Sequence, residues 1–189
     1  MAEYASRVFE IAAKGREPEI RLELRSCRPE DAETYLPFWK AIASETTHTL
    51  QRLADGLPDV EKVRANWKKT LEDPRAMKLG VFREGALIAQ LGIYAGPPHP
   101  WTDHILVFGM MVRREFWGRG IGSLLLEELE NYARSLGVTK IEAQVRVEND
   151  RGWSLYERHG YRIEGRRTRA ANIDGRYVDE YWIAKDLGA

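Results

Sequence analysis

Residues 108–136 read FGMMVRREFWGRGIGSLLLEELENYARSL, and they limit what this chain can fold into more than any other stretch. An apolar run of strand length, 108–112, passes through a charged bridge of Arg113, Arg114 and Glu115 into the turn Trp117-Gly118-Arg119-Gly120-Ile121-Gly122. Beyond it Ile121, Leu124, Leu125, Leu129, Tyr132, Ala133 and Leu136 recur at helical spacing. Glu127, Glu128, Glu130, Asn131 and Arg134 fill the other face, and Gly137 is placed to stop the helix. The order is therefore buried strand, glycine-rich turn, long amphipathic helix.

That order carries chemistry. Gly118, Gly120 and Gly122 bear no side chain, so backbone N–H groups can come close to a ligand. They lead into a helix N-terminus, where the first N–H groups lack intrahelical partners and the macrodipole is positive. Such a turn favours a phosphate or pyrophosphate, and Arg119 adds a cation. A P-loop would need Gly-Lys-Ser/Thr where this turn has Ile-Gly-Ser, and a Rossmann turn would need glycine at Ser123 and repeated βαβ units. A plain strand–helix connection remains the alternative on the turn alone.

A second motif follows the helix. Residues 145–161 read V-R-V-E-N-D-R-G-W-S-L-Y-E-R-H-G-Y. With V-x-x-x-x-W-G-R-G-I-G-S-x-L-L ahead of it, the chain resembles the GNAT superfamily of acyl-CoA-dependent N-acyltransferases. The resemblance spans about residues 22–187 and is sharp over 112–161. It implies transfer of an acetyl group from acetyl-CoA, as cosubstrate, to a primary amine. Trp117, Gly118, Arg119, Gly120, Ile121, Gly122 and Ser123 would then bind the pyrophosphate, and Asn149 the cofactor arm. A backbone N–H among Met110, Met111 and Val112 would face the thioester oxyanion. Tyr156, in L-Y-E-x-x-G, would contact the thiol and act as general acid. The loop after the first helix would border the acceptor, which makes Glu45 and His48 candidates there and Glu45, Asp179 or Glu180 a candidate base. Arg113 and Arg114 are further phosphate candidates. Two residues depart from the family pattern: Trp117 stands where Arg or Gln is common, and Trp153 where a small residue is usual. An N-cap is the plainer reading of Asn149, and a core aromatic that of Tyr156.

The acceptor has two readings. A small or amino-acid-like amine predicts a closed pocket lined by Trp39, Tyr94 or Trp101. A protein N-terminus or lysine, as in ribosomal-protein acetylation, predicts an open groove. A non-catalytic acyl-CoA sensor is the alternative outside enzymes.

Composition bounds the rest. The chain has 189 residues, 43% hydrophobic, enough for one domain with a sizeable core. Lys+Arg and Asp+Glu are both 29, so no global field draws nucleic acid or an anionic membrane. The single cysteine, Cys27, allows no internal disulfide and suits a reducing compartment, with the cytoplasm as the expected location. No run of 18 apolar residues marks a membrane span. His99 and His104 show no metal-ligand spacing, so no metal is expected. A homodimer is the expected assembly.

Tyr4, Val8, Ile11 and Ala12 share one face of a short helix, followed by a linker at residues 15–19, so residues 1–20 form an extension and 21–189 the acetyltransferase domain. Residues 22–25 alternate as a strand, and Pro29 opens a helix that Pro37 should kink or split. A second helix starts near Asp59. Strands 77–81 and 86–94 flank Glu84-Gly85 as a hairpin, and strands 161–168 and 177–184 flank a turn near residues 172–175. A proline-rich loop, 96–101, would rim the acceptor site. The fold class is mixed α+β: a mostly antiparallel sheet of about seven strands, helices on both faces in three α/β/α layers, and one parallel pair from the strand–helix–strand of 110–147.

Overall fold

The computed structural model describes residues 4–11, 19–94 and 99–188. The described residues form an open, mostly antiparallel eight-stranded sheet with four α-helices, in strand order β1-β2-β3-β4-β5-β6-β8-β7. The strands are β1 (Arg7–Ile11), β2 (Ile20–Ser26), β3 (Met77–Arg83), β4 (Ala86–Tyr94), β5 (Ile105–Val112), β6 (Lys140–Arg146), β7 (Arg162–Ile173) and β8 (Arg176–Asp186). The helices are α1 (Ala32–Glu45), α2 (Val60–Glu72), α3 (Ile121–Ser135) and α4 (Asp150–Arg158). Contacts divide the chain into two compact units, the first Met1–Ile93 with Met110–Ile121, the second Tyr94–Gly109 with Gly122–Ala189.

In the first unit β1, β2, β3 and β4 pair antiparallel in sequence order. The β3–β4 turn has Glu84 at φ 51° and Gly85 at φ 81°, the left-handed pair of a type I′ turn, which matches the strands' twist. α1 follows a 3-10 turn, Pro29–Asp31, and runs unbroken through Pro37. The split expected there does not occur; tertiary burial of Phe38, Trp39 and Ile42 outweighs one missing N–H. α2 starts where Asp59 accepts the amides of Glu61 at 2.9 Å and Lys62 at 3.3 Å. Cys27, Phe38, Ile42, Trp67, Phe82 and Leu87 form a buried cluster, with Tyr35, Val63 and Met111 against it.

β1 replaces the short helix expected from Tyr4, Val8 and Ile11. Arg7-Val8-Phe9-Glu10-Ile11 also alternates, with Phe9 and Ile11 as its more buried members. So short a helix is marginal in water, whereas the strand gains a full ladder with β2 from Arg7↔Leu24 to Ile11↔Ile20. Ala12 and residues 15–18 of the expected linker lie outside the described residues, as do 96–98 of the proline loop.

In the second unit β5 pairs parallel with β6, joined through α3, and β6 and β7 each pair antiparallel with β8. α3 is stopped by Gly137, just past its end, at φ 71°; Gly137 N donates to Arg134 O and Val138 N to Ala133 O, both 3.0 Å, in a Schellman motif. Asp174 and Gly175, φ 50° and 89°, make a second type I′ turn between β7 and β8. β7 ends the sheet. Its register with β8 shifts between Ile163 and Gly165 and again between Arg167 and Ala171, and Arg162, Arg166, Arg167 and Arg169 along it are exposed.

Candidate active site

In the first unit β5 ends at Val112, and the chain turns through a 3-10 turn, Arg114–Phe116, into the glycine loop. Gly118 and Gly120 hold φ 77° and 82°, a left-handed conformation that side chains resist. A Cβ on Gly120 would meet nothing within 4 Å, so the loop faces open space there. The turn runs straight into α3, whose first residue, Ile121, is buried, while Gly122 and Ser123 are half-buried in its first turn. Arg119 is half-buried and contributes to a pocket of about 680 Å³ in the first unit, with Leu22, Phe82 and Phe116 among its walls.

Trp117 is a strut. Its indole Nε1 donates to Val112 O at 2.7 Å, and its ring lies under the Arg114 guanidinium at 5.5 Å. Arg113 pairs with Glu115 at 2.6 Å. Met110, Met111 and Val112 are half-buried, Met111 against the first unit's core. Glu45, at the end of α1, accepts the Arg114 backbone N–H through Oε2 at 2.7 Å. His48 is exposed in the following loop.

The second unit holds Asn149 and Tyr156 on α4. Asn149 is its N-cap and accepts the Gly152 amide at 2.9 Å. Tyr156 is buried, 8% exposed, with its ring edge-on to Phe108 and Tyr161, each 5.7 Å between centroids. Loss of water around the phenol pushes its pKa up to about 12. The Tyr161 hydroxyl is buried with no hydrogen-bond partner among the described residues. Beside them, the register of β5 with β6 covers Ile105, Leu106 and Val107 against Lys140, Ile141 and Glu142, and Phe108 lies past its end.

The other carboxylates proposed as bases are engaged. Asp179 accepts Arg166 at 2.7 Å and the Arg169 amide at 2.8 Å, and these donors lower its pKa. Glu180 bridges Arg146 at 2.9 Å and Arg167 at 3.0 Å. Trp39 is buried, whereas Tyr94 and Trp101 stand 51% and 83% exposed. Among the described residues no group of three or more His, Cys, Asp or Glu could hold a metal ion, and no helix is long and apolar enough to cross a membrane.

Residues 38–161 match the model of the Acetyltransferase (GNAT) family, a span that contains the loop, Asn149 and Tyr156. The chain belongs to this family. Among its relatives are the L-amino acid N-acetyltransferase AaaT of Escherichia coli, 31% identical over 63% of this chain and 74% of that protein, and the N-alpha-acetyltransferase RimI of Mycobacterium tuberculosis, 33% identical over 66% and 75%. An acetyltransferase of the GNAT family from Streptococcus pneumoniae superposes with a TM-score of 0.81 at 27% identity, covering 88% of this chain and 99% of that one. This GNAT protein is accordingly an acetyl-CoA-dependent N-acetyltransferase. The family motifs were visible in the sequence; the Glu45–Arg114 bond and the Phe108–Tyr156–Tyr161 cluster were not, because each joins residues far apart in the chain.

Proposed function

We propose that this GNAT protein acetylates the primary amine of a small, amino-acid-like acceptor, with the loop from Trp117 to Ser123 binding the acetyl-CoA pyrophosphate. The observation that carries the loop assignment is the pair of left-handed glycines, Gly118 and Gly120, opening onto the start of a 15-residue helix. The amine nitrogen attacks the thioester carbonyl. The C–N bond forms, the C–S bond breaks, and the amine loses its proton to water or a base. A backbone N–H among Met110, Met111 and Val112 serves the oxyanion. Asn149 serves the cofactor arm as well as the α4 cap.

Tyr156 is assigned the proton or hydrogen bond that meets the departing thiolate. A free thiol titrates near ~8.5, below Tyr156, whose pKa burial raises to about 12. A thiolate leaving into equally dry surroundings is itself made more basic by the loss of water, which narrows the gap. The phenol keeps its proton until that moment.

The amino-acid reading draws on the 31% identity to the Escherichia coli L-amino acid N-acetyltransferase. A protein N-terminus is the second reading. The exposure of Tyr94 and Trp101 favours it, as does the 33% identity to the mycobacterial N-alpha-acetyltransferase. Thiol release from acetyl-CoA against amino acids, polyamines, amino sugars and N-terminal peptides separates the two. Turnover with a free amino acid is expected; turnover confined to peptides would replace it with the second reading.

A further inference from the structure

Glu45 is bound to the root of the glycine loop from both ends. It is the last residue of α1, and its Oε2 accepts the Arg114 backbone N–H at 2.7 Å. The Arg114 guanidinium donates in return to the Glu45 backbone carbonyl, a helix-end acceptor that favours a cation. Three neighbouring amides are held by backbone carbonyls. Arg113 N donates to Ile88 O, Phe116 N to Arg113 O and Trp117 N to Arg114 O, each at 3.0 Å. Arg114 N alone in this set goes to a side chain, that of Glu45.

From Arg114 the connection continues into the loop. Its guanidinium lies over the Trp117 ring, and the Trp117 indole returns to Val112 O. Trp117 immediately precedes Gly118. One carboxylate at the end of α1 thus fixes the 3-10 turn from which the two left-handed glycines depart. The tryptophan that departs from the family pattern is the strut completing the brace.

We infer that Glu45 is a positioning residue for the acetyl-CoA loop, not the base that deprotonates the acceptor. Its Oε2 already accepts a backbone donor, and what it orders is the donor-side loop. This rests on the reading of that loop as the pyrophosphate site. A charge-assisted bond to an amide is strong among protein hydrogen bonds, and losing its acceptor leaves the Arg114 N–H at the start of the turn without the partner that ties it to α1.

The test uses the full chain, with acetyl-CoA affinity measured calorimetrically without acceptor and kinetics measured with the acceptor the panel identifies. Glu45→Gln retains an oxygen that can accept the Arg114 N–H but cannot take a proton. Glu45→Ala retains neither property. Positioning predicts that Glu45→Ala weakens acetyl-CoA binding about tenfold and raises KM for acetyl-CoA more than it lowers kcat. Glu45→Gln is expected to restore affinity and to keep kcat within about threefold of wild type, with the acid limb of the kcat–pH profile in place. A kcat collapse of about a hundredfold or more in Glu45→Gln, with loss of that limb, would identify a base and overturn the inference. Wild-type binding with unaltered affinity in Glu45→Ala would overturn the inference alone. No acetyl-CoA binding by wild type would overturn the proposed function and this inference together.

Discussion

Asn149 and Gly152 fit each other so closely that a side chain on Gly152 would displace the Asn149 cap. Asn149 Oδ1 accepts the Gly152 amide at 2.9 Å, and a Cβ on Gly152 would meet Asn149 Nδ2 at 2.5 Å. Gly-to-Ala in a helix ordinarily gains up to ~1 kcal/mol, and loss of an Asn cap costs ~1 kcal/mol. In wild type the two effects oppose each other, because the new methyl displaces the cap. In an Asn149→Ala background the obstacle is gone and Gly152→Ala should stabilise. A double-mutant cycle by denaturant unfolding is expected to show coupling of about 1 kcal/mol; additive effects would mean the cap tolerates the methyl.

The glycine loop separates strain from ligand repulsion. At φ 82° any side chain on Gly120 costs about 1–2 kcal/mol, and no protein atom lies in its way. Gly120→Ala and Gly120→Glu should therefore lose similar stability by thermal unfolding. Acetyl-CoA affinity should diverge, with the carboxylate variant weaker than the alanine variant by more than about tenfold, or 1.4 kcal/mol. Equal affinities would place the pyrophosphate elsewhere.

Tyr156→Phe removes one oxygen from between Phe108 and Tyr161 and leaves the ring cluster in place. Its turnover is expected to fall by about 10²–10⁴-fold with acetyl-CoA affinity little changed. Because burial raises the pKa to about 12, no rate loss assignable to this tyrosine should appear below about pH 11. Undiminished kcat in Tyr156→Phe would remove it from the chemistry.

Cys27 should make the fold sensitive to alkali. Burial raises its pKa from 9.0 to about 12, with the Gln90 amide 3.5 Å from the sulfur. The folded state thus holds a proton that the unfolded chain releases. Stability is fully present below about pH 9 and is lost as pH rises through 9 towards 12. Tyr156 adds a loss of the same sign from pH 10. The fall of Tm between pH 9 and 11 should be shallower in Cys27→Ala, and native protein should resist thiol reagents that label it once unfolded. Equal slopes would show that the thiol does not titrate across unfolding.

What the sequence disclosed was what local chemistry controls. Asp59 is the cap of α2, Gly137 stops α3, and Glu84-Gly85 and Asp174-Gly175 are the turns their residues demand. The strand–turn–helix of β5 and α3 and the parallel partner β6 could also be read in advance. The short helix expected near residues 4–12 and the split expected at Pro37 fail for one cause. Residues 7–11 satisfy helical and strand spacing together, and only pairing with β2 decides between them. Pro37 looks disruptive until the burial of its helix is known. Glu45 could be picked out as a functional candidate, but its bond to Arg114 crosses 69 positions.

β7 closes the sheet without inviting another. An exposed final strand offers a row of unsatisfied backbone groups to any neighbouring molecule, and a long, flat, apolar one seeds aggregates. Here two slips in register with β8 bend the strand, and four exposed arginines, two of them paired with Asp179 and Glu180 on β8, make its surface charged rather than apolar. The β7–β8 hairpin therefore offers a bent, charged edge in place of the long, flat, apolar one on which strand-to-strand growth depends.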